Sequence, residues 1–169
     1  ARRGSPTTAE GKIHRMLESQ REHVPDNDGG ELDTALAFLG FVRSCLLKKL
    51  DGLDEEQQRR RLVASETTLL GLVRHSIDGE RYWFSYVVGG DERYADVDFS
   101  MEVPDDVRPE QVVADYRAAV ADSDAIIRER GLDAMAARWD FEVPKSVRWV
   151  VAHMTGETAR HAGHADILR

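Results

Sequence analysis

From Glu31 onward the apolar residues recur at steps of three and four: Leu32, Leu36, Leu39, Val42, Leu46, Leu50 and Leu53, with Phe38, Cys45 and Leu47 widening the stripe. That spacing puts them on one face of a helix, and Asp51-Gly52 supplies its stop. Glu55 to Arg61 is a charged connector, and Ser65 to Thr68 offers capping residues for a second helix. This helix is expected from about Thr67 to Val88 and has two apolar faces. Leu70, Val73, Ile77, Phe84 and Val88 lie on one, and Leu72, His75, Gly79, Trp83 and Tyr86 on the other, so it is buried on more than one side. Gly89-Gly90 ends it.

Residues 91–108 carry no period, contain Pro104 and predict a long crossover. Pro109 suits the first turn of a third helix with Val112, Val113, Tyr116, Val120, Ile126 and Ile127, closed by Gly131. A linker with Met135, Trp139 and Phe141 leads to Pro144 and a fourth helix from about Lys145 to the last residue. Strand alternation is missing throughout. The pattern predicts an all-α four-helix bundle over residues 31–169 with long crossover connections. Residues 1–30 are polar, and the short segment Lys12 to His23 is too poor in apolar side chains for a core element; they predict a partly disordered arm.

Composition narrows the function classes. A net charge of −8 and a pI near 5.2 lack the basic footprint of a nucleic-acid binder. No apolar run approaches the roughly 18 residues of a spanning helix, and no basic-then-apolar leader opens the chain. The expectation is a cytoplasmic protein with no nucleic-acid or membrane partner. Cys45 is the single cysteine, which excludes an intramolecular disulfide and any Cys-rich zinc motif. A metal would have to be held by His and carboxylate. Of 23 basic residues 19 are Arg and 4 are Lys, a skew that fits a GC-rich, actinobacterial source.

Candidate chemistry concentrates on the last helix. His153, Glu157, His161 and His164 are spaced four, four and three, and form one stripe along it. Neighbours at i and i+4 lie about 6 Å apart along the axis, so a Glu/His pair there can converge on one ion. The same spacing also describes an ordinary surface contact. His75, taken alone among apolar neighbours on the second helix, is more often a core histidine with a satisfied partner than a ligand. Cys45 suits a small core position.

The segment Thr68-Leu69-Leu70-Gly71-Leu72-Val73-Arg74-His75, running on through Gly79-Glu80-Arg81-Tyr82-Trp83-Phe84, resembles the second helix of DinB-like (YfiT-like) metalloproteins. Arg148-Trp149-Val150-Val151-Ala152-His153-Met154, followed by Glu157 to Asp166, is similar to the last helix of the same group. The nearest branch is actinobacterial and of unknown function. It is related to mycothiol-dependent maleylpyruvate isomerase and to the mycothiol and bacillithiol S-transferases. The likeness covers residues 31–169.

This resemblance implies a metal triad of one His from the second helix and a pair four apart on the last. Residue by residue those places fall on His75, Glu157 and His161; the middle place is a His in many members and a Glu in the isomerase. His153, Arg148 and His164 are the expected co-substrate contacts. The implied ion is divalent, with zinc favoured over nickel, iron or manganese by a His/His/Glu set with an open position. The implied co-substrate is mycothiol, which such an ion would activate as thiolate for attack on an electrophile. The resemblance thus implies a mycothiol-dependent S-transferase or isomerase acting on a small electrophile, and a homodimer. Contacts to the electrophile are expected from residues 91–108 and from the neighbourhood of Trp139 and Arg148. Two other classes use the same ligands: a water-activating metal hydrolase, and a non-enzymatic metal-binding stress-response protein. Second-sphere support for His75 is expected from Asp78 or from a backbone carbonyl.

Overall fold

The computed structural model describes residues 22–26, 29–139 and 142–169; most of the expected N-terminal arm, and Phe141, lie outside the described residues. Helix α1 (Glu31–Lys48) carries Glu31 and Asp33 in its first turn and Lys48 in its last, which complements the helix dipole. Its apolar stripe buries Leu36, Leu39, Val42 and Leu46. The charged connector coils into a short helix, α2 (Glu55–Arg59). A capping box explains this: Asp54 accepts from the Gln57 amide at 2.8 Å, and the Gln57 side chain accepts from the Asp54 amide at 3.0 Å.

Thr68 caps α3 (Leu69–Glu80) by accepting from the Gly71 amide at 2.9 Å. The chain then runs without a break into a π-helical stretch, Arg81–Val88, that ends at Gly89-Gly90. The expected single helix therefore changes its winding partway, which the residue pattern did not foretell. Helix α4 (Pro109–Arg130) opens on proline and stops at Gly131, whose φ of 73° only glycine adopts freely. Helix α5 (Val147–Leu168) starts two residues beyond the expected Lys145, because Ser146 is its cap and accepts from the Trp149 amide.

The described residues are all-α, as expected; outside the helices the chain forms an isolated antiparallel bridge between Met135 and Ser146. Helix α1 packs chiefly on α5, and α3 chiefly on α4. Two apolar clusters result. One centres on Leu46, Leu70, Leu72, Val112, Tyr116 and Ala162, the other on Leu39, Phe84, Ile127, Val150 and Met154. No described helix is long and apolar enough to cross a membrane.

A buried ion pair stands where α1 passes from one cluster to the other. Arg43 grips Glu80 with two hydrogen bonds of 2.8 and 2.6 Å and Asp124 with a third of 2.7 Å. Arg43 and Glu80 are almost wholly buried. The fork matches the carboxylate geometry, and so the pair ties α1, α3 and α4 together. Burial and the Glu80 charge push the nearby Tyr116 hydroxyl far above its ordinary value.

Two connections position the site. A Cβ on Gly71 would collide with the Met101 carbonyl, so glycine there lets the 91–108 crossover lie directly on the first turn of α3. The linker before α5 is pinned by Ala136 N–H to Lys145 O at 2.9 Å, Val147 N–H to Ala134 O at 2.8 Å, and Arg138 N–H to Val87 O at 2.9 Å.

Candidate functional site

Helix α3 brings His75 and Gly79, the π-helical stretch Trp83, the crossover Phe99, and α5 His153, Met154, Glu157 and His161 to one cavity of about 280 Å³. The His75 Nδ1 lies 2.7 Å from the Phe99 carbonyl oxygen. A carbonyl can only accept, so Nδ1 carries the proton and Nε2 is left as the lone pair. This carbonyl fills the supporting role expected of Asp78 or a carbonyl. Asp78 instead pairs with Arg74 at 2.5 Å, and burial pushes its carboxyl up while Arg74 pulls it down.

The His161 ring meets His75 edge to face, with centroids 4.9 Å apart at 80°. Its Nδ1 is buried and has no hydrogen-bond partner. Burial, and secondly the neighbouring His75, push the His161 imidazole down to about 4, against a smaller upward pull from Glu157. At neutral pH it is an uncharged ring with an unused nitrogen, which is the state that binds a metal.

Glu157 lines the same cavity, one turn before His161, but its carboxylate pairs with Arg160. Among the described residues no three His, Cys, Asp or Glu side chains stand together in metal-binding geometry. Two imidazoles do converge, and Glu157 is turned aside to a partner that is itself more than half exposed. Such a pair is worth at most about 1 kcal/mol, so a side-chain rotation back to the cavity is cheap. The donor set of two neutral nitrogens, one of them orphaned, and one carboxylate fits a divalent ion.

The structure separates the other expected residues. His153 lines the cavity and stacks on Trp149, with centroids 5.0 Å apart at 11°. His164 is exposed, 5.9 Å from the His161 ring, and lines a second depression with Met101 and Ile167 that His161 also borders. Arg148 is not brought to the cavity. It grips Glu31 at 2.6 and 2.9 Å and Asp133 at 2.7 Å, fastening the start of α5 to the start of α1. Cys45 is half-buried against the core, and burial pushes its thiol up, which disfavours a reactive thiolate.

Phe99, Trp83 and Met154 line the cavity although periodicity did not single them out as a site. Trp83 shares a helical face with His75 and Gly79, a spacing from which its place could have been read. Phe99 sits in the 91–108 segment, from which contacts were expected, but nothing local marks it out within that segment.

An all-α chain with a histidine-bearing cavity between two of its helices is the arrangement that the resemblance to DinB-like proteins implies. The chain is a member of the mycothiol S-transferase family, whose family model, described as "Mycothiol-S-transferase", matches residues 34–169. Comparison with curated proteins finds no match, and comparison with solved structures finds none.

Proposed function

We propose that His75, Glu157 and His161 hold a divalent cation, zinc by the chemistry of the set, and that the protein transfers mycothiol to a small electrophile. The approach of His161, with its orphaned ring nitrogen, to His75 supports this most directly. A divalent ion in the cavity supplies Lewis acidity that lowers the pKa of an adjacent thiol. The remaining work falls to the chain. His75 keeps its proton on the Phe99 carbonyl and offers Nε2. His161 stays neutral through physiological pH because burial opposes its charge. One carboxylate against a dication leaves the site about one unit positive, which favours a thiolate over a thiol. Trp83, Phe99 and Met154 line the walls and limit water. The thiol gives up its proton to solvent, the thiolate sulfur forms a C–S bond at the electrophilic carbon, and the leaving group departs with the bonding pair. Cys45 is not among the residues that line the cavity, and the transfer needs no protein nucleophile.

Metal analysis of the native protein beside a thiol-dependence assay tests the reading. We expect about one divalent ion per chain, turnover that saturates with mycothiol and vanishes without it, and loss of activity to a chelator. Ester or amide hydrolysis that ignores the thiol would replace this reading with the hydrolase. Metal binding without turnover of any electrophile would replace it with the binding protein.

A further inference from the structure

All three tryptophans of the chain meet at one place. Trp139 and Trp149 stand edge to face at 5.4 Å, and Trp83 lies 6.1 Å from the first and 6.2 Å from the second. His153 completes the group, flat on Trp149 and 4.6 Å from the Trp83 centroid. With Val143 they wall a cleft of about 590 Å³. Trp83 and His153 line both this cleft and the imidazole cavity, so the two spaces adjoin.

The walls come from three held segments. Trp83 belongs to the π-helical stretch and Trp149 to the first turn of α5. Trp139 follows Arg138, whose amide is pinned to the Val87 carbonyl at 2.9 Å. The arrangement nevertheless leaves apolar surface open, with Trp149 39% and Val143 61% exposed. Gathering aromatic rings beside a polar cavity and leaving them partly wet is unfavourable unless something covers them.

We propose that this cleft binds the electrophile, and that the electrophile is a flat, uncharged aromatic laid against the tryptophans with its reacting carbon toward His75 and His161. The proposal rests on the thiol-transfer reading for the reaction, though not for the binding. Charge argues for the class. Lys145 Nζ already lies over the Trp149 ring, 5.8 Å from its centroid, where an organic cation would otherwise sit. Glu142, the other charged residue of the cleft, offsets Lys145, so the rim offers no net charge to an ionic ligand. Stacked or edge-on aromatic contacts are what remain, each worth roughly three- to tenfold in affinity.

The test uses 1,3-dinitrobenzene, an unreactive flat aromatic, titrated against the full chain without thiol, with binding read by calorimetry. Saturable binding is expected, about tenfold weaker in Trp149→Ala and within threefold of the parent in Trp149→Phe, with thermal unfolding confirming that both variants fold. Tetramethylammonium should not bind. Absence of saturable binding, or equal binding by Trp149→Ala, overturns the site; preference for tetramethylammonium overturns the class. With mycothiol present, Trp149→Ala should lower kcat/KM about tenfold more for 1-chloro-2,4-dinitrobenzene than for iodoacetamide. Parallel losses for both would overturn the cleft as a specificity site. Aromatic binding intact but no thiol-dependent turnover upholds the cleft and removes the transferase reading alone.

Discussion

The Phe99 carbonyl reaches Nδ1 of His75 at 2.7 Å, and among the described residues Phe99 is the one non-glycine with a positive φ, 52°. The two facts belong together: a left-handed residue turns the crossover so that its carbonyl, and its ring at 5.8 Å, both face the imidazole. An L-residue in that region is strained by roughly 1–2 kcal/mol, and glycine is not. Substitution should therefore invert the usual order. Phe99→Gly and Phe99→Ala both lose the ring, but Phe99→Gly should be the more stable by about 0.5–1 kcal/mol after the greater chain entropy of glycine is counted. Urea unfolding of the pair checks this, and a more stable Phe99→Ala would contradict the strain.

Metal binding should divide the histidines of the α5 stripe. His161→Ala removes a proposed ligand and should abolish stoichiometric zinc binding. His153→Ala removes only a lining ring and should weaken it by about tenfold at most. Equal retention of zinc by the two variants, measured by metal content after dialysis, would show the chosen triad to be wrong.

Arg160 competes with any ion for the Glu157 carboxylate. Arg160→Ala should free that carboxylate and remove a nearby positive charge. The expected result is zinc affinity a few-fold tighter, in line with an exposed pair worth up to about 1 kcal/mol. Competition against a chromophoric chelator gives the number; unchanged or weaker binding would take Glu157 out of the ligand set.

The depressed His161 imidazole predicts acid sensitivity in metal-free protein. In the unfolded chain the ring titrates near 6.5, and in the folded protein near 4. Between those values the unfolded state binds the extra proton, so stability falls as pH drops through this window and levels off below it. The full shift corresponds to about 3 kcal/mol, and solvent at the half-buried ring reduces the expected loss to about 1–2 kcal/mol. Urea midpoints from pH 7 to 4 with chelator present measure it. His161→Gln should flatten that stretch of the profile, and an unchanged slope would assign the acid loss elsewhere.

The Arg43–Glu80 pair should matter more than its neighbours' apolar contacts suggest. Arg43→Met leaves Glu80 buried and without its fork, which costs about 3–5 kcal/mol. The double variant Arg43→Met with Glu80→Met should recover most of that loss, because no buried charge is then stranded and the carboxylate of Asp124 reaches solvent. Chemical denaturation of the three proteins decides it, and a double variant as unstable as Arg43→Met would mean the carboxylate is not the source of the loss.

The amino-acid sequence by itself determined the four long helical segments, though not the π-helical winding of Arg81–Val88, and the residues most worth watching. Steps of three and four place Leu36, Leu39, Val42 and Leu46 on one buried face, and proline, serine and glycine mark the ends of α4 and α5, because helical periodicity and capping are properties of neighbouring residues. The same local rule put Glu157 and His161 one turn apart and His75 on a face with Gly79 and Trp83. Only the tertiary structure decided which atoms those residues meet. The carbonyl that orients His75 comes from a crossover without any period, held down at Gly71. Glu157 has both Arg160 and the cavity within reach of its side chain, and spacing along a helix does not choose between them. Arg148, similar in sequence to a site residue, is drawn to Glu31 and Asp133 on distant segments. Trp83, Trp139 and Trp149 converge through packing of a helix, a pinned linker and a helix start. Local spacing sets which way a side chain can point, and long-range packing sets what is there to receive it.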